Sequence, residues 1–138
     1  MAVETPTNFR VEAPGFDAAL IVRLVDAFYA KVRRDEVIGP IFDAAIGEHW
    51  SEHLGKMYEF WATVIGGAGT YKGNPMQSHL ALPRISREHF ERWLALWKQT
   101  TQEVCPPEVA RMFDERADFI AERLLGAISL YHASEAKR

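Results

Sequence analysis

The sequence predicts an all-α protein made of helices of unequal length. Several long segments repeat their apolar residues at helical spacing, and no segment alternates apolar and polar residues with a period of two. Proline and glycine separate these segments from one another. The 138 residues correspond to one domain. A domain of this size buries roughly two thirds of its unfolded surface, so a substantial core is expected.

The first predicted helix follows an N-terminal arm at residues 1–16 and opens the main domain, residues 17–138. Asp17 is suited to the N-cap, and the helix is expected to end near Arg34 or Asp35. Its apolar positions recur at helical spacing: Ile21, Leu24, Val25, Phe28 and Val32.

Two helices are predicted next, one short and one long. The segment GPIFDAAIG reads as a short helix that has proline in its first turn and ends at Gly47. The longer helix runs from about His49 to Ile65 and ends at the glycine-rich loop at residues 66–74. Its apolar stripe consists of Trp50, Leu54, Met57, Trp61 and Ile65.

The segment GNPMQSHLALPRIS, residues 73–86, has a proline near each end and a single histidine, His79. Pro75 and Pro83 leave room for about two helical turns between them. Such a segment buries little surface, so packing alone does not account for it.

Two further helices complete the prediction. Ser86 caps a helix whose apolar face carries Phe90, Trp93, Leu94 and Trp97. The last helix runs from Pro107 to about Tyr131, with Val109, Phe113, Ile120, Leu124 and Ala127 directed inward.

Composition and charge exclude several classes of partner. The net charge is −3, and the longest basic run, Lys31 to Arg34, is expected to be the solvated last turn of a helix. We therefore expect no nucleic acid partner. No apolar stretch approaches the ~20 residues of a membrane span, and Glu4 and Glu12 argue against a signal peptide. With Cys105 as the single cysteine, no internal disulfide is expected, which fits a reducing cytoplasm. We also expect the protein to be a monomer.

The histidines are the first candidates for chemistry. His79 is either a metal ligand on a separately positioned segment or a helix-end histidine that interacts with the last carbonyl groups. His53 lies on an apolar stripe, where a core histidine is the commoner case. His49 and His53 share a helix face, as a zinc pair would. However, Trp50 occupies the position of the glutamate in the H-E-x-x-H motif, and no Glu-x-x-His pairs of a di-iron site occur.

The aromatic residues are the second group of candidates. The chain has eight Phe, four Tyr and four Trp, an inventory that could line a large flat group. Tyr29 and Trp93 lie on the inward faces of two different helices, where they either complete the core or direct O–H and N–H groups into one pocket. Asp26, Asp35 and Asp43 are expected to be solvated residues of helix surfaces or turns.

The chain resembles the truncated haemoglobins, specifically their third group, from Leu24 to the last helix. Six segments match in order and spacing: AFYAKVR, GPIF, EHLGKMYEFW, GAGTYKGNP, SHLALP and FERWLALW. The resemblance implies a truncated globin, a two-over-two helical sandwich around haem b. It makes His79 the proximal ligand of the iron and places Phe42 on the haem face.

On the distal side, the resemblance makes Tyr29 and Trp93 hydrogen-bond donors to bound O₂ and puts His53 at the entrance. The remaining pocket wall would consist of Phe28, Met57, Phe60 and Trp61. A hydrogen bond to a charged acceptor contributes ~1.5–3 kcal/mol, which corresponds to a roughly ten- to hundredfold change in O₂ affinity. Two such donors predict slow release of O₂.

The function implied is reversible binding of O₂, CO, NO or other small haem ligands, together with detoxification of nitric oxide or handling of reactive oxygen and nitrogen species. Whether the protein turns over as a nitric oxide dioxygenase or a peroxidase-like enzyme stays open. Turnover would need an external reductase, since no G-x-G-x-x-G segment for a dinucleotide occurs. The alternative is a non-haem helical protein-interaction domain, which would stay colourless when haem is added.

Overall fold

The computed structural model describes residues 17–66, 73 and 85–136, with the side chains of residue 66 and of residues 131–136 left aside. Five helices and no strands are found in these ranges: α1 (Ala18–Arg34), α2 (Gly39–Ile46), α3 (Trp50–Gly66), α4 (Arg87–Val104) and α5 (Pro107–Ala136). The predicted all-α class is confirmed. The N-terminal arm, most of the glycine-rich loop and the segment that holds His79 lie outside the described residues.

The first two helices begin and end where local signals predict. The side chain of Asp17 accepts a hydrogen bond from the N–H of Leu20 at 3.0 Å, as an N-cap should. At the end of α2, Gly47 has a φ of +58°, a backbone conformation that side chains with a Cβ rarely adopt. Both predicted caps are confirmed.

The later helices agree with the prediction at all but one end. Ser86 is the N-cap of α4, and its N–H donates to Nδ1 of His89 at 3.0 Å. The last helix, however, continues to Ala136 instead of ending near Tyr131. The reason is that no proline or glycine interrupts residues 131–136, so nothing in the sequence stops the helix there.

The four long helices form two layers of two. In one layer α1 packs against α3, and in the other α4 packs against α5. Contacts of α1 with α4 and of α3 with α5 join the layers, while the short α2 packs on α1. This arrangement confirms the predicted two-over-two sandwich. None of the helices in the described ranges is long and apolar enough to cross a membrane.

The core is divided into a large and a small cluster. The large one is centred on fully buried side chains of α1, α4 and α5, among them Ile21, Leu24, Phe28, Trp97 and Phe113. The small one lies between the start of α4 and the middle of α5 and contains Phe90, Ala121, Leu124, Leu125 and Ile128. The large cluster extends into the region where the predicted site residues meet.

Candidate functional site

Phe28 is the point at which α1 meets the aromatic face of α4. Its ring centroid lies 4.9 Å from that of Tyr29, 5.5 Å from that of Trp93 and 4.9 Å from that of Trp97. All three contacts are edge-to-face, the arrangement that the quadrupoles of aromatic rings favour. With 1% of its surface exposed, Phe28 fixes the positions of Tyr29 and Trp93 relative to each other.

Tyr29 is the point at which α1, α2 and α3 meet. Its ring makes edge contacts with Phe42 of α2 at 5.8 Å and with Trp50 and His53 of α3 at 5.7 and 5.1 Å. The structure therefore brings five of the predicted site residues into one connected group. These are Phe28, Tyr29, Phe42, His53 and Trp93.

Met57, Phe60 and Trp61 continue this aromatic and apolar surface along α3. Trp61 is buried, whereas Met57 and Phe60 are half-buried and pack against the large core cluster from its edge. Phe42 and Trp93 are half-buried in the same way. The result is a partly covered apolar surface with the polar-edged rings of Tyr29, His53 and Trp93 nearby.

A row of three stacked indoles extends inward from this surface. The rings of Trp61 and Trp97 lie 4.4 Å apart with an interplanar angle of 15°, and those of Trp93 and Trp97 lie 6.0 Å apart at 3°. Trp97 is fully buried, and its Nε1–H has no hydrogen-bond partner among the described residues. The sequence places Trp97 on the inward face but gives no sign of the stacking, because Trp61 belongs to another helix.

Asp35 is a buried acceptor, which corrects the prediction that it is solvated. Its Oδ1 accepts from Nε and Nη2 of Arg92 at 2.7 and 2.6 Å. Its Oδ2 accepts from the N–H groups of Val37 and Ile38 at 3.0 Å each. The hydrogen bond from Arg92 lowers the pKa of Asp35, and those two N–H groups add to the effect. Asp35 thus ties the end of α1 to α4 and to the start of α2.

Asp26 and Asp43 are exposed, as predicted, but each has a partner that the sequence did not reveal. The O–H of Tyr58 on α3 donates to Oδ1 of Asp26 on α1. Asp43 accepts from Nε1 of Trp50 at 3.2 Å, and the guanidinium of Arg33 lies 4.5 Å above the Trp50 ring. Each aspartate holds an aromatic side chain of α3 in place.

The basic run at the end of α1 is likewise more than a solvated turn. Lys31 donates to Oε2 of Glu103 on α4 at 2.7 Å, and 19% of its side chain is exposed. Arg33 lies over Trp50 and near Asp43, with Nε and Oδ1 4.0 Å apart. The predicted solvated turn is therefore wrong for Lys31, whereas Arg33, with 52% of its side chain exposed, is solvated as predicted.

The two-over-two layering and the aromatic site are those of a globin. A family model described as "Bacterial-like globin" matches residues 11–123, and the chain belongs to this family. It is 40% identical over 114 residues to the Group 3 truncated hemoglobin ctb of Campylobacter jejuni, covering 80% of this chain and 90% of that one. It is also similar to the crystal structure of a group III truncated hemoglobin from Campylobacter jejuni, with a TM-score of 0.79 and 37% identity. That match covers 86% of this chain and 94% of the other.

The predicted resemblance to group III truncated haemoglobins is thereby confirmed. Globins bind small diatomic ligands through a haem cofactor, and membership of the family assigns both to this chain. The same finding favours haem binding over the non-haem alternative. Within the described part of the chain, no group of three or more His, Cys, Asp or Glu side chains could hold a metal ion.

The described residues fit a haem by their chemistry. The porphyrin is a flat and largely apolar ring, and the half-buried side chains of Phe42, Met57, Phe60 and Trp93 present an apolar surface from three helices. Burial of this surface beneath a flat apolar group is favourable, since each Å² removed from water contributes about 25 cal/mol.

Proposed function

We propose that the protein holds haem b between His79 on one side and Tyr29, Trp93 and His53 on the other. The observation that carries the proposal is the Tyr29 cluster, in which one ring contacts His53 directly and Trp93 through Phe28. When bound, the haem supplies an iron that takes a diatomic ligand. The SHLALP segment around His79 supports the proximal assignment.

Tyr29 and Trp93 act as hydrogen-bond donors to that ligand. The Tyr29 O–H and the Trp93 Nε1–H come from different helices, and Phe28 between them keeps their spacing fixed. A donor aimed at a partly charged ligand contributes about 1.5–3 kcal/mol when water is excluded. The apolar wall of Phe28, Phe42, Met57, Phe60 and Trp61 supplies that exclusion.

His53 stands at the entrance of the distal side. Its half-buried ring lies 5.1 Å from the Tyr29 ring and 5.8 Å from the Trp50 ring, with both contacts edge-to-face. Movement of the imidazole away from these two rings would open a path for the ligand. We assign His53 the role of a gate.

Slow release of O₂ follows from two donors, and it favours reaction with a second molecule over delivery. We propose that this reaction converts nitric oxide to nitrate in the cytoplasm. A separate reductase would supply the electrons that repeated turnover of a bound haem requires. Mixing the oxygenated protein with nitric oxide should yield one nitrate per protein, and a yield of nitrite alone would contradict the proposal.

The distal assignment is tested by O₂ dissociation rates measured by stopped flow. We expect Tyr29→Phe and Trp93→Phe each to release O₂ about 10- to 100-fold faster than the unmodified protein. The double variant should be non-additive, because the donors share one acceptor. Tyr58→Phe is the matched control, because it removes a hydroxyl that is bonded to Asp26, and its O₂ dissociation rate should not change.

The proximal assignment is tested separately with His79→Ala. This variant should lose stoichiometric haem, or show a changed spectrum that added imidazole restores. Unchanged haem content together with an unchanged spectrum would show that another residue is the ligand. Unaltered O₂ release in Tyr29→Phe would remove Tyr29 from the distal site while leaving the His79 assignment intact.

A further inference from the structure

The row of stacked indoles crosses from the partly exposed surface into the core. Trp93 is half-buried, whereas Trp97 and Trp61 have 0% and 2% of their surfaces exposed. The centroid distances of 6.0 and 4.4 Å and the nearly parallel planes put each ring in stacking contact with the next. Indoles are among the most readily oxidised side chains, and close stacking lets an electron pass from one ring to the next.

Trp97, in the middle of the row, is suited to pass charge on. The N–H of an oxidised indole is strongly acidic, and its proton is lost when a base lies beside it. Nε1 of Trp97 is buried and has no hydrogen-bond partner in the part of the chain that the structure describes. Without such a base, an oxidised Trp97 keeps its proton and remains a strong oxidant of its neighbour.

One helical turn before Trp61, α3 carries a tyrosine that has a base in place. Tyr58 lies three residues before Trp61, a spacing that puts the two residues on one face of the helix. The buried Tyr58 donates its O–H to the carboxylate of Asp26. Burial, together with this hydrogen bond, raises the pKa of Tyr58 well above its ordinary value. The phenol therefore keeps its proton until it is oxidised, and Asp26 is in position to receive it.

We propose that Trp93, Trp97, Trp61 and Tyr58 form a one-electron relay that carries oxidising equivalents away from the ligand pocket. An oxidant that reaches Trp93 takes one electron from it. Trp97 then reduces the oxidised Trp93, Trp61 reduces Trp97, and Tyr58 finally reduces Trp61. As Tyr58 is oxidised, its O–H bond breaks and the proton moves to the Asp26 carboxylate. A neutral phenoxyl radical remains on Tyr58, with the indoles restored.

The oxidant is a small radical such as nitrogen dioxide, which arises where nitric oxide and O₂ react. It gains one electron to become nitrite, Tyr58 loses one, and the phenolic proton passes to Asp26, so charge and atoms balance. A thiol from solution then gives one hydrogen atom to the radical, which regenerates the phenol and leaves a thiyl radical in solution, while Asp26 releases its proton to water. The source of the oxidant rests on the proposed function, whereas the relay itself depends only on the side chains of this chain.

The test uses the haem-loaded ferric protein with cyanide bound, so that the iron is blocked. Azidyl radicals, which oxidise indoles in preference to phenols, are generated by a short radiolysis pulse, and the sample is frozen for electron paramagnetic resonance. We expect a tyrosyl signal in the unmodified protein. In Tyr58→Phe that signal should be lost and a tryptophanyl signal should take its place.

Asp26→Asn separates proton acceptance from hydrogen bonding. The amide oxygen can still accept the hydrogen bond from Tyr58 but is a far weaker base, so the radical should stay on tryptophan. Trp97→Phe should also leave the radical on tryptophan, because it removes the middle of the row. The same outcome is expected in Trp61→Phe, which interrupts the row at a second position and replaces Trp97→Phe as the test if that variant does not fold.

Trp50→Phe is the matched control, since Trp50 is outside the row and donates to Asp43. Its tyrosyl signal should equal that of the unmodified protein. A full tyrosyl signal in Tyr58→Phe, or in both Trp97→Phe and Trp61→Phe, would overturn the relay. Failure of the proposed function would instead appear as unaltered O₂ release in Tyr29→Phe and Trp93→Phe, in an experiment that involves no radical.

Discussion

Two ion pairs join α1 and the residue that follows it to α4. Their N–O distances are nearly equal, but their carboxylate groups differ in burial. The closest N–O distance is 2.6 Å for Asp35 with Arg92 and 2.7 Å for Lys31 with Glu103. Only 2% of the Asp35 side chain is exposed, whereas half of Glu103 is in solvent. We expect the burial of the carboxylate, rather than the distance, to rank the two pairs, because water screens Glu103 and competes for its hydrogen bonds.

The two pairs also differ in what they hold in place. Asp35 accepts two bonds from Arg92 and two more from the backbone at the start of α2, the helix that carries Phe42. Arg92 directly precedes Trp93, the first residue of the stacked row, and we expect the pair to hold this part of α4 in position. The Lys31 pair joins two helix surfaces by a single hydrogen bond. We therefore expect the Asp35 pair to govern both stability and the ligand pocket.

The largest effect is expected from Asp35→Ala. It removes four hydrogen bonds and leaves the buried N–H of Ile38 without its acceptor, which should lower the free energy of unfolding by about 3 kcal/mol. Urea denaturation measures this loss. Asp118→Ala, which removes an exposed carboxylate paired with Lys98, is the control and should cost much less. Equal losses in the two variants would contradict the ranking by burial.

Arg92→Ala should have the next largest effect, because Asp35 keeps its two backbone donors and loses only the guanidinium. Stability should fall by less than in Asp35→Ala. O₂ release should become faster as Trp93 loses its fixed position, and Arg92→Lys should restore part of the slow release. If Arg92→Ala loses stability but its O₂ release does not change, the pair supports the fold without positioning Trp93.

The pH dependence sharpens the comparison further. Because the guanidinium of Arg92 lowers the pKa of Asp35, the folded state binds fewer protons than the unfolded chain on the acid side. The contribution of the pair is complete above the ordinary carboxyl pKa of about 3.9 and is lost as the pH falls through the folded value. The stability difference between the unmodified protein and Arg92→Ala should therefore shrink below about pH 4. Denaturation curves at several pH values measure it.

The smallest effect is expected from Lys31→Ala. Its partner Glu103 has a lowered pKa through the hydrogen bond from Lys31, yet Glu103 lies at the surface and water can replace the lysine. The urea midpoint should stay close to that of the unmodified protein, and what difference remains should disappear in high salt. A salt-independent loss as large as that of Arg92→Ala would show that burial is not what separates the two pairs.

Local signals were enough to predict the helices that the structure describes in residues 17–66 and 85–136. Helix ends are marked by Asp17, Gly47 and Ser86. The side chains of Asp17 and Ser86 accept hydrogen bonds from free N–H groups of the first turn, and Gly47 adopts the positive φ that ends α2. The end of α5 was missed because its last residues carry no such signal. The prediction that Tyr29 and Trp93 share a pocket has support in the rings that join them, and the role of each remains a proposal.

The order of the helices, their apolar faces and the family were determined by the sequence alone, since each depends on residues close together in the chain or on motifs in a fixed order. The partners of Asp26 and Asp35 were decided by the tertiary structure. So was the stacking of Trp61 on Trp97. Asp35 and Arg92 are 57 positions apart, and nothing local distinguishes an aspartate that faces water from one that faces another helix. Only the packing of the two layers brings these side chains together, because a side chain's partners depend on the direction and depth of both helices at once.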